Sequence, residues 1–157
     1  MPLKDYERTG TITVDEIKMP SEEHLKRGVA IIECVQKIPC NPCVDACPFG
    51  AISMESLNAT PKIDYDKCKG CGKCVSVCPG LAIFVVRVRG EDGFVTLPYE
   101  MLPMPEKGEV VNLLNREGKV IGEGEVTNVR VENRTGVITV RVNKNLIMEV
   151  RNICPKR

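Results

Sequence analysis

The sequence predicts an α+β fold: a duplicated, cysteine-rich core with an appended C-terminal antiparallel β module. Three observations carry this. Eight of the nine cysteines lie between Cys34 and Cys78. The segments that lead into and out of those cysteines occur twice. Beyond residue 85, apolar and polar residues alternate with a period of two, the pattern of half-buried strands.

At 157 residues the chain has room for one ordinary domain or two small ones. Its net charge of +1 gives no sign of a nucleic acid or an anionic membrane as partner. No apolar run approaches the roughly 18 residues that a membrane span requires. Residues Met1 to Arg8 lack the apolar core of a signal peptide, so a soluble, unexported, cytoplasmic protein is expected. A reducing cytosol keeps thiols free, which argues against disulfides, and the clustering of the cysteines favours metal ligation. Trp is absent, and Phe and Tyr number three each. The core must rest on Val, Ile and Leu, which suits a β-rich or α+β fold.

Residues 1–27 are polar and read as an N-terminal arm that packs on the body or on a partner. Within it Ser21, followed by Glu22 and Glu23, offers an N-cap and a first-turn acidic pair for a short helix. Residues 28–86 hold the repeat. Val29 to Glu33 leads into a cysteine loop that closes at Cys47-Pro48-Phe49-Gly50-Ala51-Ile52. Pro61 to Lys67 leads into a second that closes at Cys78-Pro79-Gly80-Leu81-Ala82-Ile83. Each half reads as short strand, cysteine loop, helical turn and short strand, related by a pseudo-twofold. Residues 87–157 form the β-rich module. Strands are expected over 126–131 and 137–142, separated by turn residues at 115–118, 132–136 and 143–145. Pro98, Pro103 and Pro105 predict an irregular tether, and the tail beyond it is expected to be a separate antiparallel sheet or small barrel.

The second loop, Cys68-Lys69-Gly70-Cys71-Gly72-Lys73-Cys74-Val75-Ser76-Val77-Cys78-Pro79, is the C-x2-C-x2-C-x3-C-P run of bacterial ferredoxins. A cubane presents its irons at fixed corners, so three thiolates on one tight loop reach three of them. Gly70 and Gly72 permit the turns and let amides approach the cluster. In the first loop Cys40, Cys43 and Cys47 match the same run, but Lys37 stands where the first cysteine belongs and Cys34 lies three residues earlier. Two readings follow. Either Cys34 reaches the cluster through a lengthened loop and the centre is [4Fe–4S], or Cys34 is a bystander to a [3Fe–4S] centre. Lys37 is no iron ligand here; it offsets thiolate charge. In two-cluster ferredoxins the fourth cysteine of each run serves the opposite cluster. The assignment therefore crosses over: Cys34, Cys40, Cys43 and Cys78 for cluster 1, and Cys68, Cys71, Cys74 and Cys47 for cluster 2. Two tetrathiolate zinc sites in an interaction module are the alternative from another class, although zinc modules usually separate their C-x2-C pairs by long spacers.

The remaining candidates receive plainer readings. Cys154 is a buried or idle thiol, and His24 is a surface residue. Lys67, Lys69 and Lys73 either dock an acidic partner or balance cluster charge. No phosphate loop, Ser/His/Asp set or acid pair appears, so no catalytic site is expected.

From Cys34 to Ile83 the chain resembles two-cluster bacterial ferredoxins. Over nearly its whole length it also resembles the dicluster subunits of FAD-dependent amine dehydrogenases of the proline dehydrogenase, sarcosine oxidase and hydrogen cyanide synthase type. That likeness rests on residues 31–43, on Cys78-Pro79-Gly80-Leu81-Ala82-Ile83-Phe84-Val85-Val86, and on Leu97-Pro98-Tyr99-Glu100 with Leu102-Pro103. In that group the lengthened first spacing is part of the pattern. The resemblance implies a ferredoxin-like 2[4Fe–4S] core, ligation by Cys34, and a hetero-oligomer in which FAD-containing dehydrogenase subunits pass electrons to this chain. A freely diffusing ferredoxin is the rival role.

Overall fold

The computed structural model describes residues 4–156. The N-terminal arm forms α1 (Asp5–Thr9), a 3-10 turn (Val14–Glu16) and α2 (Glu22–Arg27). As its sequence predicts, α2 is capped by Ser21, whose Oγ accepts from the His24 amide at 3.2 Å. The arm is fastened to the body: Leu25, Val14 and Ile17 pack on the core, and the Tyr65 hydroxyl donates to the Lys18 carbonyl at 2.6 Å.

The two halves of the repeat are β1 (Val29–Ile32), α3 (Pro42–Ala46) and β2 (Ile52–Ser53), then β3 (Lys62–Ile63), α4 (Lys73–Val77) and β4 (Ile83–Arg89). The pairing has the expected twofold character. β1 runs antiparallel to β4, with Val29 opposite Val86 and Ile32 opposite Ile83, while β2 pairs with β3, Ile52 opposite Ile63. Each half thus closes its sheet with a strand of the other.

The tail departs from expectation. β5 (Asp92–Tyr99), β6 (Val110–Leu114), β7 (Val120–Glu132), β8 (Thr135–Asn143) and β9 (Asn152–Pro155) do not form a separate sheet. They add to β4 in one seven-stranded sheet of order β1-β4-β5-β8-β7-β6-β9, with every adjacent pair antiparallel. The reason lies in β4, which continues past Val86 to Arg89 and offers its free side to β5. Pro98 likewise lies inside β5 rather than in a tether. It sits opposite Val137, beyond Thr96, where the β4 ladder has ended, so its missing N–H breaks no bond on that side. Of the expected tether, only the part within residues 100–109 is irregular. The turn expected at 132–136 is a tight hairpin with Asn133 and Arg134 at φ 51° and 67°, the primed geometry that matches strand twist.

Strand alternation buries Val95 and Leu97 from β5, Ile138 and Val140 from β8, and Val111 and Leu113 from β6. Ile147, Val150 and Ile153 pack against them as part of the same core. The sheet curls until its two outer strands meet through side chains. Glu33, just past β1, is gripped at both oxygens by Arg116, at 2.8 Å from Nε and 3.1 Å from Nη2. It is also bonded by Nε of Arg151, just before β9. All three side chains are nearly sealed from solvent, at 7%, 9% and 4% exposure. Arg151 spends its remaining donors on the carbonyls of Ile147 and Val150 and stacks on Phe84, 4.9 Å from the ring centre.

Removing Glu33 would leave the buried Arg151 without its direct partner and Arg116 with only Glu149, 3.9 Å from its Nη1, at a cost of roughly 3–5 kcal/mol. Glu33→Ala is therefore expected to lower the melting temperature of anaerobically purified protein sharply. The triple change of Glu33, Arg116 and Arg151 to Met recovers part of the loss; a Glu33→Ala melt that overlays the parent's would contradict this.

Candidate metal centre

Glu33 extends the β1–β4 ladder by one bond, its amide donating to the Ala82 carbonyl at 2.8 Å. Cys34 therefore leaves the ladder close to Cys78, which lies four residues before Ala82. The inserted residues loop out and return at Cys40, whose amide donates to the Leu57 carbonyl at 3.3 Å. Pro42 then starts α3 in a position that needs no N–H, and Cys43 points inward, buried. Cys34, Cys40, Cys43 and Cys78 all border one cavity whose other walls include Ile32, Ile38 and Ile83. Burial raises the Cys43 thiol pKa, and the neighbouring Cys78 and then Cys40 raise it further.

Around the second loop Cys68 and Cys74 are buried and Cys71 is exposed. Burial pushes the Cys74 thiol up to about 12, and the neighbouring Cys68, Cys71 and Cys47 add to the shift. Cys47 comes from the first loop and Cys78 from the second. The structure therefore brings the cysteines together as two mixed sets of four, 34/40/43/78 and 68/71/74/47. Such a donor set fits a cationic iron–sulfur centre, because a bound metal reverses the mutual repulsion that opposes thiolate formation. Among the described residues no three His, Cys, Asp or Glu side chains converge as they would around a single ion. Zinc would draw all four sulfurs to about 2.3 Å from one ion, whereas a cubane offers each thiolate its own corner.

Amides are aimed at the sulfurs. The Ala51 amide donates to Cys47 Sγ and the Ala82 amide to Cys78 Sγ, each at 3.4 Å, and the Ala30 amide donates to Cys68 Sγ at 3.3 Å. The first two are twofold mates. In both, the residue before the alanine is left-handed, Gly50 at φ 63° and Leu81 at φ 53°, which swings the amide back to a cysteine four residues earlier. Such bonds favour the thiolate and help set a cluster's reduction potential. Gly70 serves close approach. It holds φ 68°, and a Cβ there would lie 2.7 Å from the Gly28 carbonyl oxygen.

Two plainer expectations change. His24 bridges the arm to the second loop, with Nε2 2.7 Å from Asp66 Oδ1 and Nδ1 accepting from the Ser21 amide, and this contact holds the Asp66 carboxyl below its ordinary pKa. Cys154 is exposed on β9, which removes the buried reading and not the idle one. Lys67, Lys69 and Lys73 are exposed without an ion pair among the described residues. Sequence reasoning missed the Glu33–Arg116–Arg151 triad, whose members lie 83 and 118 residues apart in pairing. It also missed the amide–sulfur bonds, although the repeated C-P-x-x-A-I unit carried their signal.

Comparison with known proteins agrees with this geometry. Residues 33–82 match the 4Fe-4S dicluster domain. The chain is 46% identical over 57 residues to the pyruvate synthase subunit PorD of Methanocaldococcus jannaschii, covering 36% of this chain and 65% of that one. It is 45% identical over 47 residues to the polyferredoxin-like subunit of an aliphatic sulfonate oxidoreductase of Pyrococcus furiosus, covering 30% and 27%. It is 46% identical over 41 residues to the beta subunit of a dissimilatory-type sulfite reductase of Archaeoglobus fulgidus, covering 26% and 11%. The chain thus spans between a tenth and two thirds of these relatives' lengths. No solved structure matches significantly. The matched segment is of two-cluster ferredoxin type, and its cofactors are two [4Fe–4S] clusters. No described helix is long and apolar enough to cross a membrane.

Cys71→Ala is expected to lose the iron of one cluster and to destabilise the fold, whereas Cys154→Ala does neither. Equal iron and acid-labile sulfide in the two variants would count against the ligand role of Cys71.

Proposed function

We propose that this chain is the electron-transfer subunit of an oxidoreductase complex, relaying electrons from an FAD-dependent amine or amino-acid dehydrogenase. The observation that carries its role as a relay is the gathering of eight cysteines into two mixed sets of four. In this reading Cys34, Cys40, Cys43 and Cys78 hold cluster 1, and Cys68, Cys71, Cys74 and Cys47 hold cluster 2. The clusters supply reversible one-electron chemistry. The protein's part is to hold the thiolates, to direct the Ala30, Ala51 and Ala82 amides at sulfur, and to keep water from the buried faces of Cys43, Cys68 and Cys74.

The cavity that Cys34 shares with its three partners supports its role as a ligand, and with it a full [4Fe–4S] centre rather than [3Fe–4S]. The description of the matched domain points the same way. The relatives' names include subunits of oxidoreductases, which supports membership of a complex. The dehydrogenase partner rests on the resemblance in residues 31–43, 78–86 and 97–103. The domain reading is an arm over 1–27, a ferredoxin domain over 28–86 and a docking module over 87–157, with β4 belonging to the last two.

Anaerobic purification from the native source, with iron, sulfide and flavin quantified together, tests the role. About eight irons per chain, as two four-iron clusters require, in a stable assembly containing FAD is the expected result. A solitary iron-containing monomer would favour the free carrier, and colourless protein without labile sulfide would remove both. Cys34→Ser is expected to convert one centre to a three-iron form or to abolish it, and an unchanged EPR spectrum would make Cys34 a bystander.

A further inference from the structure

Beside the exposed Cys71 the polar face of the sheet forms a cleft. Gly70, Cys71 and Gly72 form one wall, and Arg87, Arg89 and Arg130 with Phe94 stand among the residues opposite. Among the described residues no carboxylate lines it. Arg87 is held by a bond from its Nε to the Arg27 carbonyl at 3.2 Å, which leaves the rest of its guanidinium unspent. Arg89 is exposed and makes no ion pair among the described residues, although Asp92 lies opposite it in register. Arg130 Nε lies 3.0 Å from Glu132, but its Nη2 reaches 3.0 Å from where a Gly72 Cβ would stand, directly against the second cysteine loop. Lys69 and Lys73 continue the charge past the rim on both sides of Cys71, exposed. Five cations therefore face two nearby acids, Glu132 and Asp92, in a chain whose net charge is only +1.

We infer that this cleft is the port of cluster 2 and that it receives an acidic segment of the protein with which the chain exchanges electrons. The inference rests on the cluster assignment proposed above and adds the place and the charge of the partner. Three features carry it. The one exposed cysteine of its set opens here, so the cluster's accessible edge and the basic surface coincide. The cations at the rim are solvated, where they act on an approaching partner rather than on the cluster. The basic surface also extends beyond the cleft, which suits several carboxylates on a protein better than one small anion.

Redox probes of opposite charge read this directly on the full-length, cluster-loaded protein. Each reduced cluster gives one electron to cobalt(III), which becomes cobalt(II). Tris(oxalato)cobaltate(III), a trianion, is expected to oxidise the parent at a rate that falls with added salt. The rate is expected to fall roughly two- to fivefold for each of Arg89→Gln and Arg130→Gln, the range of one surface ion pair. Hexaamminecobalt(III), a trication, loses no rate in either variant. Decaglutamate slows the trianion with the parent and not with the double variant. Arg89→Gln alone preserves the test if Arg130→Gln fails to load iron. Equal responses to both probes would overturn the inference, as would a shared potential shift that slows both alike. Inorganic phosphate competing as well as decaglutamate at equal charge would also overturn it, in favour of a small-anion pocket. Protein lacking clusters would instead strike at the proposed function, before any rate is measured.

Discussion

Glu33 stands where three parts of the chain meet, and its carboxylate holds them together. It follows β1, precedes Cys34, and is gripped by Arg116 from the β6–β7 turn and by Arg151 from the approach to β9. A seven-stranded antiparallel sheet has two open edges, and each is a place where pairing can fail or invite a stranger. Here the strands at those edges are tied by buried ionic bonds in place of a backbone ladder. Burying three charges is expensive, and the arrangement is tolerable because nearly every donor is spent. Arg116 takes both carboxylate oxygens, and Arg151 divides its guanidinium between Glu33, two carbonyls and the face of Phe84.

That tie has a consequence for the cysteines. The first cluster loop begins one residue after Glu33, and the Glu33 amide is also the last bond of the β1–β4 ladder. The backbone that launches Cys34 is thus held from one side by Ala82, four residues past Cys78, and from the other by the tail. The long first spacing, which could have left Cys34 at the end of a slack loop, is anchored where it starts. The two guanidinium groups also bring positive charge toward a site that gathers four thiolates, although Glu33 answers one of those charges and Glu149, 3.9 Å from Arg116, lies against the other.

Much of this was legible in the residues. Cysteine spacing and the repeated C-P-x-x-A-I unit disclosed the twofold core, and Ser21 disclosed the start of α2. Alternation at 126–131 and 137–142 disclosed β7 and β8, although Val131 is exposed and the adjacent Val137 and Ile138 are both buried. β5 was harder to see, since Gly93 and Pro98 dilute its pattern, and its pairing with β4 is a tertiary choice that no local signal announces. The same holds for the ionic triad. Glu33, Arg116 and Arg151 each look like an ordinary solvated charge until the curl of the sheet brings them together. His24 misled for a related reason: its neighbours in sequence are charged, but its partner is Asp66 on the far loop.

The shared sheet bears on how the two parts of the chain work. β4 pairs with β1 on one side and with β5 on the other, so the strand that completes the ferredoxin core is also the first strand of the tail's sheet. A core joined by a flexible tether would let its clusters swing relative to whatever the tail binds. Electron transfer falls steeply with distance, and such swinging would have to be arrested at each encounter. In this chain it is removed in advance by a continuous hydrogen-bonded ladder and by the bond between Ser76 on α4 and Glu132 at the end of β7, 3.1 Å long. Glu132 in turn meets Arg130, which reaches toward Gly72 in the second loop. A partner seated on the tail's strands would therefore be seated, by the same backbone, at a set distance from Cys71.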